Sequence, residues 1–240
     1  MPLLEVVHVT AAYSNAVLVA VLPHISNFAK KLDLPISQPI TQSQITKFRV
    51  NPIQGYTGGG VFLDHYQFAF DRGSVIVFHN LTNNPFIKDD PAVTWKVFAG
   101  KDNMTTNDAI AFARNVIFKM GYTPEELHAD IPPFSVHGSY NMNAGYHVPY
   151  CEIMWDNENS IPSVTNAISI DFQIDMERKQ LVGMELVGRV FWHSNPPVEV
   201  APELESDFRK RMRSAPHIGM YYDTNAPTQF SHPKQLPPSP

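Results

Sequence analysis

The chain of 240 residues holds one cysteine, Cys151. A single thiol excludes an internal disulfide and any cysteine-rich metal site. Charge is also scarce: Asp, Glu, Lys and Arg make up 17 % of the residues, against roughly 25 % in ordinary soluble domains. With 18 Lys and Arg against 23 Asp and Glu, the net charge is −5. That balance argues against nonspecific nucleic-acid binding, whose affinity comes from neutralised phosphates. Long apolar runs are missing as well. The run Ala16–Leu22 is seven residues, far below the roughly 20 that a membrane-spanning helix needs. No positive charge precedes it, and Pro23-His24 follows in place of a small-x-small cleavage site, so it reads as part of a folded helix and not as a leader. Leucine is outnumbered by valine and isoleucine, a bias toward strands over a helical bundle. With 43 % hydrophobic residues the chain has enough apolar side chains for a sizeable core.

Periodicity divides the chain. Residues 15–32 read as a helix, with Val17, Val21, Ile25, Phe28 and Leu32 at helical spacing. Pro23 is expected to kink or split it, and Leu34-Pro35 to end it. Ile45 to Val50 is a short strand candidate. Gly58-Gly59-Gly60 then breaks the pattern, Val61 to Phe70 alternates, and Asp71-Arg72-Gly73 turns the chain into a second arm, Ser74 to His79. Residues 80–104 are Asn- and Pro-rich and read as a linker. The clearest helix covers 106–120, capped by Thr105 or Thr106 and stopped by Gly121. Thr123-Pro124-Glu125-Glu126 starts a short second one. Tyr146 to Trp155 is a strand candidate. Ile168, Ile170, Phe172 and Ile174 alternate with Ser169, Asp171, Gln173 and Asp175 as a half-buried strand, and Leu181 to Trp192 returns after a turn at Met176 to Lys179.

The two halves share an order of helix, strands and closing hairpin. Each resolves into one helix on a small antiparallel sheet, an α+β arrangement. The predicted organisation is a first module and linker over 1–100, a second module over 101–197, and a Pro-rich arm over 198–240. Within the arm, Pro202 to Ser214 has acids at its start and bases at its end, which suits a short helix.

The stretch Thr105 to Tyr122 resembles the opening helix of PepSY-type domains. Ile170-Asp171-Phe172-Gln173-Ile174-Asp175 followed by Leu181-Val182 resembles their closing hairpin. Asn15 to Pro35, together with His128-Ala129-Asp130, is similar to a family of uncharacterised, predicted-exported bacterial proteins. The likeness covers roughly residues 15–200. It implies a PepSY/cystatin-like fold, an extracytoplasmic setting, and a link to peptidase inhibition or propeptide-like binding. It brings no catalytic motif.

Candidate chemistry is thin. His128, Asp130, His137 and His147 crowd one segment, and imidazole with carboxylate suits zinc. They lack a His-Glu-x-x-His pattern and fall in a Pro/Asn/Gly-rich stretch, so they read as ordinary loop residues before they read as ligands. Cys151 and His147 are four apart. On one strand that puts them on the same face but about 13 Å apart, too far for a nucleophile and its base. Cys151 shares its strand face with Ile153 and Trp155 and reads as a packing residue. Gly58-Gly59-Gly60 lacks the Gly-Lys-Ser/Thr of a phosphate loop. The basic stretch with Phe208, Arg209, Arg211 and Met212, followed by Tyr221 and Tyr222, is the candidate partner-binding element.

The expectation is therefore a non-catalytic, extracytoplasmic binding or assembly protein without a cofactor, acting through its sheet edges and C-terminal arm on a protein partner or on itself. The alternatives are a peptidase-inhibitor-like or propeptide-like domain and, third, a metal-dependent enzyme using residues 128–152.

Overall fold

Thr10 starts the first helix. Its backbone is extended (φ −72°, ψ 148°), and its Oγ1 accepts the Tyr13 N–H at 3.2 Å. This satisfies one of the donors that a helix start leaves open. Helix α1 spans Ala11–Lys31 and so begins earlier than periodicity alone indicates. Pro23 lies inside α1 without splitting it. The hydrogen bond lost at Pro23 belongs to the carbonyl of Val19. Val19 is 64 % exposed, so that carbonyl is on the wet side of the helix and the helix continues. The structure is a computed structural model that describes residues 9–53, 56–71, 74–87, 95–141, 145–156, 168–188 and 200–204, with 206, 207 and 210.

Four strands follow: β1 (Lys47–Ile53), β2 (Tyr56–Phe62), β3 (Tyr66–Asp71) and β4 (Ser74–Asn80). The Gly58-Gly59-Gly60 break expected from the sequence lies inside β2. A Cβ on Gly59 would run into the Arg49 carbonyl and the Phe70 ring, so the glycines let β2 pass between its neighbours. The turn falls instead at 63–65, closed by the Leu63 N–H donating to the Tyr66 carbonyl at 2.9 Å.

Helix α2 (Thr106–Met120) has the bounds its signals predict. Thr105 Oγ1 accepts the Asp108 N–H, and the Asp108 carboxylate accepts the Thr105 N–H at 2.9 Å. Gly121 closes the helix in the left-handed region at φ 100°, where a side chain would be strained. Ala109, Ala113, Val116 and Ile117 are its buried stripe. The Thr123-Pro124 start yields a single 3-10 turn, Glu125–Leu127, in place of a second helix.

The remaining strands are β5 (Ser135–His137), β6 (Tyr140–Asn141), β7 (His147–Val148), β8 (Tyr150–Asp156), β9 (Ile168–Asp175) and β10 (Gln180–Gly188). The expected single strand from Tyr146 to Trp155 is two. Pro149 interrupts it; β7 pairs with β6 in a small separate ladder, while β8 joins the main sheet. Strands β5 and β6 sit in the stretch read as loop.

Eight strands form one antiparallel sheet in the order β1-β2-β3-β4-β10-β9-β8-β5. The first-half and second-half strands are joined where β4 pairs with β10, His79 opposite Gly183. The fold is α+β: this large sheet, with α1 and α2 over one face. A single core cluster takes Val17, Val21 and Ile25 from α1, Ala113 and Ile117 from α2, and Phe68, Phe78, Phe172 and Ile153 from the sheet. Each fully buried Val, Ile or Phe side chain contributes about 1.5–3 kcal/mol. Val200 and Leu204 pack on this core from the segment beyond β10.

Candidate functional site

The sheet face opposite the helices carries the chemistry. Along β9 the residues Ile170, Phe172 and Ile174 enter the core, so Asp171, Gln173 and Asp175 face the other way. Read as a solvent face from sequence, this side is partly roofed. Phe86, Phe98 and Tyr140 pack over Val148, Tyr150 and Val182 in a second, small apolar cluster. The roof comes from residues 84–87 and 95–98 and from β6, segments that look like plain loop in the sequence.

At the margin of the roof lies a network of buried polar groups. Gln173 is 8 % exposed and Asn84 is 0 %. The Asn84 Nδ2 donates to Gln173 Oε1 at 2.6 Å and to the Val182 carbonyl at 3.2 Å, and the Phe86 N–H donates to Asn84 Oδ1 at 2.9 Å. The Gln173 Nε2 donates to Asp171 Oδ2 at 3.0 Å and to Glu152 Oε1 at 3.3 Å. One amide thus bridges two carboxyl groups on neighbouring strands. Burial, followed by the nearby Glu152 charge, pushes the Asp171 carboxyl up to about 7. Asp171 Oδ1 is buried without a hydrogen-bond partner, so no donor there favours the charged form. Burial also holds His79, beside Asn84, below its ordinary value. Asp171 can therefore take or give up a proton near neutral pH within a fixed amide scaffold.

A second network ties the roof down. The Asp102 carboxylate accepts from Ser139 Oγ at 2.9 Å and meets His147 Nε2 at 3.0 Å. His147 Nδ1 lies 3.0 Å from Asn141 Oδ1. Serine, aspartate and histidine are all present, but the aspartate lies between the other two. The serine hydroxyl therefore meets a carboxylate instead of an imidazole base, and this is not the order of a nucleophile and its activator.

The predicted metal residues go to separate surroundings. His128 ends the 3-10 turn with φ 53°. Asp130 follows it in a loop held through backbone carbonyls, where Arg114 donates to Ala129 and Ile131 at 2.7 Å and 3.0 Å. His137 is on strand β5, its Nε2 3.1 Å from Ser135 Oγ. His147 joins Asp102 as above. Among the described residues no group of three His, Cys, Asp or Glu side chains is placed to hold a metal ion. Cys151 is fully buried beside Ile153 and Trp155, and burial pushes its thiol up to about 11. Phe208, Arg209, Arg211, Met212, Tyr221 and Tyr222 lie outside the described residues.

The sheet ends at β1 on one side and β5 on the other, each paired along one edge only among the described residues. Just before β5, Phe134 and Ile131 are 59 % and 50 % exposed. Their loop is fixed from behind. Trp155 Nε1 donates to the Ile131 carbonyl at 3.1 Å, and the Arg114 guanidinium lies 5.9 Å from the Trp155 ring centre. Phe118, exposed on α2 one turn beyond Arg114, adds a third large apolar side chain to this end of the molecule. Sequence reasoning missed all three, because Ile131 and Phe134 flank Pro132-Pro133 in a stretch read as loop and Phe118 falls off the buried stripe of α2.

No described helix is long and apolar enough to cross a membrane. No family model and no curated protein matches the chain. Among solved structures it is similar to the Bacillus megaterium YpeB C-terminal domain, with 10 % sequence identity and a TM-score of 0.35 over 75 % of this chain and 67 % of that one. A likeness at that level leaves function to the chain's own geometry.

Proposed function

We propose that the protein is a non-catalytic binding or assembly protein that works outside the cytoplasm. It would take an extended segment of a protein partner, or of another copy, along an edge of its sheet, with residues 198–240 as a contributing arm. The observation that carries this reading is the β5 edge. An edge strand presents N–H and C=O groups to which an incoming strand can pair, and Phe134 and Ile131 stand exposed beside it. The β1 edge is less receptive. It carries Lys47 and Arg49, and Pro52 supplies no N–H, features that blunt edges against pairing.

The module reading belongs to the same proposal. Helix α1 precedes β1–β4, α2 precedes β5 and β8–β10, and the closing strands of the two sets pair with each other. Module boundaries at 1–100 and 101–197 are consistent with that mirror order. The extracytoplasmic setting rests on the resemblance at Asn15–Pro35 and Thr105–Tyr122.

The test is the solution mass of the full chain, of a version ending at Pro197, and of the full chain with Phe134→Asp. An oligomer lost on truncation or with the aspartate supports arm- and edge-mediated assembly. An unchanged monomer in all three, with no peptide capture that Phe134→Asp weakens, sinks the reading.

A further inference from the structure

Residues 84–87 form a strap that crosses from β4 onto the second set of strands and hangs on one amide. Before it the chain turns, where Asn80 Oδ1 accepts the Thr82 and Asn83 N–H groups at 3.1 Å and 3.0 Å. The Asn84 Nδ2 then reaches the Val182 carbonyl on β10 and Gln173 Oε1 on β9. Its Oδ1 accepts the Phe86 N–H, so the side chain that grips the sheet also fixes Phe86. The Phe86 ring lies 6.1 Å from that of Tyr140 and 6.4 Å from that of Tyr150.

The grip is only as firm as Gln173. Its Nε2 carries two hydrogens, and both go to carboxyl groups, Asp171 Oδ2 and Glu152 Oε1. Two carboxylates converging on one neutral amide repel each other. With one proton between them the pair carries a single charge, and the amide bridges them without that repulsion. With both ionised, Asp171 also keeps its Oδ1 buried without a donor, which costs most for a charged oxygen. Register places Glu185 of β10 opposite Asp171, and Met154 of β8 on its other side. The charges acting on Asp171 are Glu152 and Glu185, both negative; donation from Gln173 and from the Phe172 N–H opposes them. Around the rest of the network, His137 stands opposite Glu152, Tyr140 lies near both bridged acids, and His79 Nδ1 faces the Asn84 amide at 3.5 Å. Burial disfavours a charge on His79.

We propose that the Asp171–Gln173–Glu152 bridge is a proton-operated latch for residues 84–86: the strap stays seated while the two acids share a proton, and it lifts locally from β9 and β10 when they lose it. The Asp171 carboxyl, raised to about 7 by burial and by Glu152, places the release near neutral pH. Once Asn84 has left, Gln173 can swing away and water reaches Asp171, which returns toward the ordinary carboxylate range. Opening therefore releases a proton and is favoured as pH rises. Lifting uncovers Tyr150 and Val182 on the sheet. The latch concerns the strap and is independent of the edge reading above.

The experiment is amide hydrogen exchange on the full chain at about pH 6 and about pH 8, each at several sub-denaturing urea concentrations, with every rate divided by the intrinsic rate at that pH. The Phe86 amide reports on the strap, and the Ile117 amide, buried in α2, reports on global unfolding. A carboxyl at about 7 in the seated strap and 3.8 in the open one predicts that the Phe86 opening constant rises about tenfold between those two pH values. Phe86 exchange should barely respond to urea, because a local opening exposes little surface, while Ile117 exchange quickens steeply. Asp171→Asn keeps an acceptor for the Gln173 amide and removes the titration, so its Phe86 opening should not change with pH. Glu152→Gln is the second variant should the first not fold: it removes the neighbouring charge, and the rise at Phe86 should level off at a lower pH. A wild-type Phe86 opening constant that is the same at both pH values overturns the latch. So does one whose urea dependence matches that of Ile117, which would mean that the strap leaves only with the whole fold.

Discussion

Gln173 lies across Gly183. The two residues face each other on β9 and β10, and a methyl group on Gly183 would occupy the position of the Gln173 Oε1. The Asn84 amide sits 2.6 Å from that same point. Glycine at 183 is thus what allows the bridging amide to lie flat on the sheet and reach Asp171 and Glu152.

Gly183→Ala therefore has to displace side chains that are already pinned. Gln173 is held by Asn84, Asp171 and Glu152 and cannot swing aside without breaking at least one of those bonds. The expected loss is about 1–3 kcal/mol, typical of overpacking a filled site, or a fall in Tm of several degrees. Thermal denaturation followed by circular dichroism measures it. A Tm unchanged from wild type would mean that the network is looser than this geometry requires.

Asp171 sets a pH dependence with a definite sign. Its folded-state carboxyl is raised to about 7 from 3.8, so the folded chain binds the proton more tightly than the unfolded chain does. The associated stability is fully present below about pH 4. It is lost progressively as pH rises toward 7, with a total of roughly 2–4 kcal/mol. Asp171→Asn keeps an oxygen for the Gln173 amide and removes the charge. The variant should match wild type near pH 4 and be the more stable of the two at pH 8. Urea denaturation of both proteins across this range checks it, and parallel curves for the pair would be the contrary result.

Some of this was readable in the chain and some was not. The bounds of α2 followed from Thr105, Asp108 and Gly121, because caps act within a few residues of where they stand. The apolar alternation of β9 was equally plain. The function of its polar face was not, since Asp171 and Gln173 follow the pattern of a solvent-facing strand. What buries Gln173 is Asn84, almost 90 positions earlier, and local periodicity carries no information about such a roof. The glycines of β2 misled for a related reason. Glycine signals either a turn or a close approach, and only the neighbouring Phe70 ring decides which. The split of the Tyr146–Trp155 strand was signalled locally by Pro149, which ends a ladder wherever its missing N–H is needed.

Pro23 leaves a gap in the hydrogen-bond ladder of α1 that the rest of the helix tolerates. Pro23→Ala restores an N–H for the Val19 carbonyl and removes the ring's clash with the preceding turn. The gain should be about 1 kcal/mol or more, less than the roughly 3 kcal/mol of a fully strained interior proline. Exposure of Val19 lets water solvate that carbonyl already, and proline also restricts the unfolded chain. A rise in the urea midpoint at constant slope is the expected result. A fall would show that the Pro23 ring is needed for packing.

The cap of α2 gives a test of local against global stability. Thr105 and Asp108 exchange hydrogen bonds at the positive end of the helix, and the backbone N–H of Thr105, with its side chain second, holds the Asp108 carboxyl below its ordinary value. Thr105→Ala removes one side of the exchange and should cost about 1 kcal/mol. A carboxyl lowered in the folded state contributes stability above its unfolded value and loses it as pH falls through the folded one. The difference between wild type and Thr105→Ala should therefore be full at neutral pH and shrink below about pH 4. Hydrogen exchange should quicken first at the N-terminal turn of α2, while Val116 and Ile117, buried against the core, keep their protection. Uniformly faster exchange along α2 would mean that the helix opens as one unit, and that its cap guards the whole element instead of its first turn.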